Sequence, residues 1–159
     1  VRGDAEIIER LNEVLTAELT AINQYFIHSR MCENWGYRRL AKQKYDESIE
    51  EMKHADDVIK RILYFDGTPN MQRLNPVRVG EDAVEQHQLD LELEKENIER
   101  LNAAIAVCRE KGDNGTRHLL EEILKGEEEG ADWLEGQLHA IGEMGRENYL
   151  AEQLHGDDG

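Results

Sequence analysis

An all-α four-helix bundle, with one long crossover and a short fifth helix at the C-terminal end, is the fold this sequence predicts. Apolar residues recur at helical spacing through four long segments, and none alternates as a strand does. The breaks after the first and third segments are short, whereas the break after the second is long. Charged residues make up 34% of the chain, aromatics 6%, and there are only two prolines, so little interrupts long solvated helices. At 159 residues the chain is read as one domain with a sizeable core.

The first helix is expected over 4–34, with Asp4 as N-cap because its carboxylate can accept the free N–H groups of the first turn. Leu11, Val14, Leu15, Ala21, Ile22 and Tyr25 share one face. Glu6, Glu9, Glu13, Thr16, Thr20, Asn23 and Gln24 form the opposite, polar side. Trp35-Gly36 breaks the pattern before a second helix over 37–65, whose apolar sector holds Leu40, Ala41, Tyr45, Met52, Ala55, Val58, Ile59, Ile62 and Leu63. Gly67, Pro69 and Pro76 mark the segment 66–80 as a crossover running the length of the bundle. A third helix over 81–111 carries Ala83, His87, Leu91, Ile98, Leu101, Ile105 and Cys108 on its stripe. Gly112 to Gly115 read as a turn. A fourth helix over 116–142 buries Leu119, Leu120, Ile123, Ala131, Leu134, Leu138 and Ile141, and a short fifth over 146–154 caps the bundle. The tail from His155 is expected to fray.

Four glutamates sit on these apolar stripes: Glu18, Glu51, Glu94 and Glu127, one per long helix. The interval from Glu18 to Glu51 equals that from Glu94 to Glu127, so the chain reads as two similar hairpins. Burying even a neutral unpaired polar group costs about 2–7 kcal/mol, and a lone carboxylate costs more. Four such groups on one bundle axis call for a shared cationic partner. His54 follows Glu51 by three positions, which puts an imidazole and a carboxylate on one helix face. Carboxylates mixed with imidazole suit iron or manganese rather than a thiolate-preferring metal. One Glu from each of two helices with Glu-x-x-His from the others is the ligand set of di-iron bundles.

A net charge of −16 argues against nucleic acid as a direct partner and suits a protein that attracts cations. No run of about 18 apolar residues predicts a membrane span, and the first residues lack the apolar stretch of a signal peptide. A cytoplasmic location is therefore expected. Cys32 and Cys108 lack metal or redox spacing and are read as free thiols.

Through nearly its whole length the chain resembles the bacterioferritins, the haem-containing branch of the ferritin superfamily. The resemblance lies in Leu19-Thr20-Ala21-Ile22-Asn23-Gln24-Tyr25-Phe26, Glu50-Glu51-Met52-Lys53-His54-Ala55-Asp56, Arg61-Ile62-Leu63 with Gly67-Thr68-Pro69-Asn70, and Asp132-Trp133-Leu134-Glu135. It implies a ferritin-like fold and a homo-oligomeric cage of twenty-four subunits built from two-fold dimers, which oxidises Fe²⁺ and stores ferric mineral. By resemblance Glu18 and His54 bind one iron, Glu51 and Glu127 bridge, and Glu94 binds the second. Met52, read from helix spacing alone, is core or interface filler; the resemblance makes it an axial ligand of haem b, one Met from each of two subunits, with a ferredoxin-type electron donor. Tyr25 reads either as a core tyrosine bonded to a carboxylate or as a redox-active donor during oxidant reduction. Trp133 has the same two readings. Asp46 and Glu50 share a polar face that, in a cage, would line the cavity. DNA-protecting mini-ferritins and rubrerythrin-like peroxidases fit less well, because the fourth-helix carboxylate is present and a CxxC iron domain is absent.

The departure is Gly130, where the family has the second Glu-x-x-His histidine. His139 is too far along the helix to replace it, and Asp90, one turn before Glu94, is the remaining neighbour that could help. A two-iron centre with a weaker second position is expected. The alternative is a structural, haem-carrying subunit completed by a second bacterioferritin subunit in a mixed cage; a further reading is a single-metal site serving as an iron entry point.

Overall fold

A computed structural model of the chain describes residues 1–155; the tail expectation beyond His155 falls outside the described residues. Helix α1 spans Ala5–Trp35, α2 Arg38–Tyr64, α3 Ala83–Lys111, α4 Asn114–Met144 and α5 Arg146–Glu152. Asp4 caps α1 by accepting hydrogen bonds from the N–H groups of Glu6 and Ile7. Gly36, at φ 87°, ends the helix in the left-handed region, where glycine carries no Cβ penalty. Helix α3 starts two residues later than expected because Asp82, not Gly80, is its cap, accepting from the Glu85 N–H. Helix α4 starts two residues earlier than expected. Asp113 accepts from both the N–H and the hydroxyl of Thr116, drawing Asn114 and Gly115 into the first turn. That helix also runs through Gly142 to Met144, while α5 stops two residues short of the expected end.

Side-chain pairs fix the topology. Lys111 bonds Asp4, while Tyr25 and His28 reach Glu94 and Asp90, so α1 and α3 run antiparallel. Lys44 meets His87 and Asp90 near the start of α3, and Arg61 meets Asp113 just past its end, so α2 and α3 run parallel. The residues 66–82 make the long crossover this requires.

The crossover explains a difference from the sequence reading. Thr16, Thr20 and Gln24, read as part of the exposed polar side of α1, are buried. The connection lies over them and uses their side chains: Arg73 donates to Thr16, and the Asn75 and Arg78 N–H groups donate to Thr20 and Gln24. Asn12 likewise accepts from the Asn70 N–H and donates to the Thr68 carbonyl. A connection without helix or strand must find partners for its backbone, and polar side chains on α1 supply them.

The apolar core is divided. One part packs Ile7, Leu11, Leu15, Val58, Ile62, Leu101, Ile105, Leu120 and Ile123 toward one end of the bundle. The other packs Cys32, Leu40, Ala41, Ala83 and Tyr149 toward the opposite end, against Trp35 and Ile141. Between them lie the glutamates, bordered by Ala21, Tyr25 and Leu93. Tyr45, Met52 and Leu63, assigned from sequence to the apolar sector of α2, instead lie on its exposed side. Cys32 and Cys108 are free, buried thiols. Among the described residues no helix is long and apolar enough to cross a membrane.

Candidate metal centre

All four stripe glutamates are essentially removed from solvent, and His54 nearly so. Ligand atoms of Glu18, Glu51, His54 and Glu127 lie within 4.8 Å of one another. His54 Nδ1 stands 3.4 Å from Glu127 Oε1, 3.6 Å from Glu18 Oε2 and 3.8 Å from Glu51 Oε1. Ligands about 2.0–2.2 Å from one ion are themselves roughly 3–4 Å apart, so these separations match a single coordination shell. A second group shares Glu51: its ligand atoms and those of Glu94 and Glu47 also lie within 4.8 Å of one another. The two groups overlap at Glu51, whose carboxylate belongs to both. Tyr25 donates from its hydroxyl to Glu94 Oε1 at 2.5 Å, holding that carboxylate in place.

The electrostatics show what this arrangement costs without cations. Burial raises Glu18, Glu51 and Glu94 above the usual carboxylate range, and repulsion from Glu127 raises all three further. Glu127 itself stays ionised. Its own burial is outweighed by the Glu94, His54, Glu51 and Glu18 groups crowded around its carboxylate. Burial opposes a charge on His54, but Glu127 and Glu18 beside it prevail and hold it protonated. Protons thus stand where cations would go.

Among the described residues nine buried side-chain atoms lack a hydrogen-bond partner, and seven belong to Glu18, Glu51, His54, Glu94 and Glu127. Buried polar atoms are nearly always partnered, so orphans concentrated in one cluster fit a set of ligands for a cation. The donor chemistry fits iron or manganese.

The structure brings together every metal ligand read from sequence, and Tyr25 with them. Asp90 does not contribute. Its oxygens are held by Lys44 at 2.6 Å, His28 at 2.9 Å and Gln24 at 2.9 Å, and it belongs to neither group of clustered ligand atoms. His139 and Asp46 are exposed, and Glu50 lies at the rim, 3.9 Å from His54 Nε2. Trp133 packs edge-on against His87 at 5.7 Å rather than in the cluster. Met52 points away from the centre and is 52% exposed.

Sequence reading missed Glu47. It lies one helical turn before Glu51, hence on the same face, but within the run Tyr45-Asp46-Glu47-Ser48-Ile49-Glu50 it looks like one more solvated acid. A Cβ built on Gly130 would stand 3.2 Å from Glu47 Oε1 and 3.4 Å from Glu94 Cδ. The Glu47 carboxylate therefore borders the space that a side chain at residue 130 would take.

A helical bundle enclosing a buried carboxylate–imidazole cluster able to hold metal defines a class, and sequence comparison narrows it. The family model for a ferritin-like domain matches residues 8–144. The chain is 49% identical to the bacterioferritin of Mycobacterium leprae over 152 residues, which is 96% of each protein. It is 48% identical to that of Streptomyces coelicolor over 151 residues, 95% of this chain and 90% of the relative. To that of Brucella melitensis it is 42% identical over 149 residues, 94% of this chain and 92% of the relative. The chain belongs to the bacterioferritin family of ferritin-like proteins.

Proposed function

We propose that this protein oxidises ferrous iron at the buried centre and stores the ferric product inside a cage of its own copies. The observation that carries the reading is the set of seven orphaned ligand atoms on five residues from all four long helices. Fe²⁺ is the substrate. Glu18, Glu51, His54 and Glu127 hold one ion, and Glu94 with the shared Glu51 receives the second. As iron arrives, the protons on Glu18, Glu51, Glu94 and His54 leave, because ligands bind deprotonated.

Two ferrous ions held side by side supply two electrons. These reduce one peroxide, with two protons, to two waters, or one O₂, with two protons, to hydrogen peroxide. The carboxylates follow the change from ferrous to ferric charge without a change of fold. Tyr25, whose pKa is pushed well up by burial and by the Glu94 charge, keeps its proton at rest. Its hydrogen bond to Glu94 supports a role in orienting that ligand, and the two electrons of each reduction come from the two ferrous ions.

Kinship supports a cage of twenty-four subunits built from two-fold pairs. Tyr45, Met52 and Ile59 recur at heptad spacing on α2, and the exposed Phe26 of α1 packs its ring 6.4 Å from that of Tyr45. A second copy laid across this strip would cover it. Met52 also fits a haem ligand shared between two subunits, since its thioether is open to the surface and remote from the carboxylates. Haem there would supply an electron path for reducing stored iron.

Aerobic Fe²⁺ oxidation followed by absorbance tests the central claim. The protein is expected to exceed free iron by at least about tenfold, within the range that positioned groups provide, and Glu127→Ala to fall to the free-iron rate. Wild-type protein no faster than free iron would overturn the ferroxidase reading. Met52→Leu is expected to abolish the haem Soret band while leaving Fe²⁺ oxidation intact; a full haem complement in that variant would remove Met52 as the ligand.

A further inference from the structure

The histidine missing at residue 130 leaves the second metal position short of a ligand, yet the space is not simply empty. Glu47 Oε1 lies at the edge of it, 3.2 Å from where a Cβ of residue 130 would be. Its ligand oxygen also falls within 4.8 Å of those of Glu51 and Glu94. Both Glu51 oxygens and Glu94 Oε2 are buried without a hydrogen-bond partner. Gly130 and Glu47 further line a cavity of about 320 Å³ between α2 and α4, together with Tyr25, Lys44, Glu50 and Trp133. That volume admits a hydrated cation, and Glu50 and Glu47 give it an acidic wall.

We propose that Glu47 replaces the absent histidine, making the second metal position an all-carboxylate site of Glu47, Glu51 and Glu94, entered through the cavity at Gly130. This rests on reading the centre as a two-metal site. A Cβ at 130 would press on the Glu47 carboxylate at 3.2 Å, so the glycine leaves that carboxylate room at the edge of the site. The two positions then differ in kind. The position with His54 has a nitrogen ligand and suits zinc or cobalt as well as iron, whereas the Glu47 position offers only hard oxygen donors and favours Mn²⁺ or Fe²⁺.

Mn²⁺ is the probe, since it stays divalent in air and can be located by anomalous scattering. Crystals of the assembled wild-type protein soaked in Mn²⁺ are expected to show two ions at the centre, with Glu47 bound to the second. Glu47→Gln, nearly isosteric and expected to keep the wild-type circular dichroism and Tm, should retain the ion at His54 and bind the second at least about tenfold more weakly in equilibrium titration, as loss of supporting ligand contacts typically does. Adding Gly130→His to Glu47→Gln should restore the second ion. Two ions bound with wild-type affinity by Glu47→Gln would overturn the assignment of Glu47 alone. One ion in wild-type protein, unchanged in Glu47→Gln, would also overturn it. No ion at all in wild-type crystals would overturn the two-metal reading itself.

Discussion

Lys44→Met is expected to lower the unfolding free energy by about 3–5 kcal/mol, the usual cost of stripping one partner from a buried ion pair. For a chain of this size that is a drop in Tm of roughly 6–20 °C at equal subunit concentration. Lys44 is only 1% exposed, and its ammonium donates to Asp90 Oδ2 at 2.6 Å and to His87 Nδ1 at 3.0 Å. Because Nδ1 accepts, His87 carries its proton on Nε2 and donates it to the Tyr149 hydroxyl, which donates in turn to Gln137. Burial, reinforced by the Lys44 charge, keeps His87 neutral, as this relay requires. On the other side Asp90 accepts from Gln24 and His28, and His28 Nε2 accepts from the Gly80 N–H. One network therefore ties all five helices and the end of the crossover. Methionine fills the volume of the lysine stem but leaves the Asp90 carboxylate, held down at about 2 by Lys44 and His28 against its burial, without its cation. Lys44→Met/Asp90→Asn removes that stranded charge and should recover at least half of the loss. A single-variant loss below about 1 kcal/mol, the level of exposed pairs, would show that the network does not hold the helices together.

The legibility of this molecule in its sequence follows the same division between pairwise and collective features. Glu18, Glu51, Glu94 and Glu127 were visible because each breaks a helical apolar stripe, a signal contained within one helix. His54 was visible through its spacing from Glu51. Helix existence was legible for the same reason, while the ends moved by a residue or two, since Asp82 and Asp113 compete with nearby glycines to set the first turn. What could not be read depends on which elements meet. Thr16 and Thr20 look like surface residues until the Arg73 side chain and the Asn75 N–H of the crossover donate to them. Lys44 reads as a solvated cation until the fold buries it against Asp90 and His87 of α3. Glu47 looks like part of a charged run, and only its approach to Gly130 on another helix distinguishes it. Met52 and Tyr45 are apolar but face outward, a choice that a single chain's periodicity does not make.

Removing metal should make the protein less stable as pH rises from about 5 to 8, opposite to what ordinary paired carboxylates produce. Burial, then the Glu127 charge, lifts Glu18 from 4.5 to about 7, and the same two causes in the same order lift Glu47 to about 7. Glu51 and Glu94 are raised further in the same direction. In the unfolded chain these groups lose their protons near pH 4.5, whereas in the fold they keep them. The unfolded state then binds fewer protons, and stability falls with increasing pH until the folded groups also ionise. His54 acts with the same sign: raised to about 10 by Glu127 and Glu18 against its burial, it contributes fully below 6.5 and loses that contribution as pH rises through 10. Asp90 and Glu127, each lowered to about 2, oppose only as pH falls below about 4, outside this range. His87, kept neutral by burial and the Lys44 charge, opposes within it and offsets part of the fall up to its unfolded value of 6.5. The rise in Glu18 alone corresponds to about 3 kcal/mol, so calorimetric Tm of the chelated protein should fall by roughly 10 °C between pH 5 and 8. Mn²⁺ at a hundred times its dissociation constant adds about 2.7 kcal/mol, and its affinity grows as the ligands deprotonate, so the metal-loaded protein should show a much flatter profile. General repulsion from a net charge of −16 also grows with pH, and Glu127→Gln separates the two causes. It removes only one unit of that charge but the main repulsive neighbour of all four raised carboxylates, so the slope should become clearly shallower while the larger part set by burial remains. An unchanged slope in Glu127→Gln, or a chelated wild-type Tm that is flat or rising over this range, would mean that the carboxylates are not held together against their own repulsion.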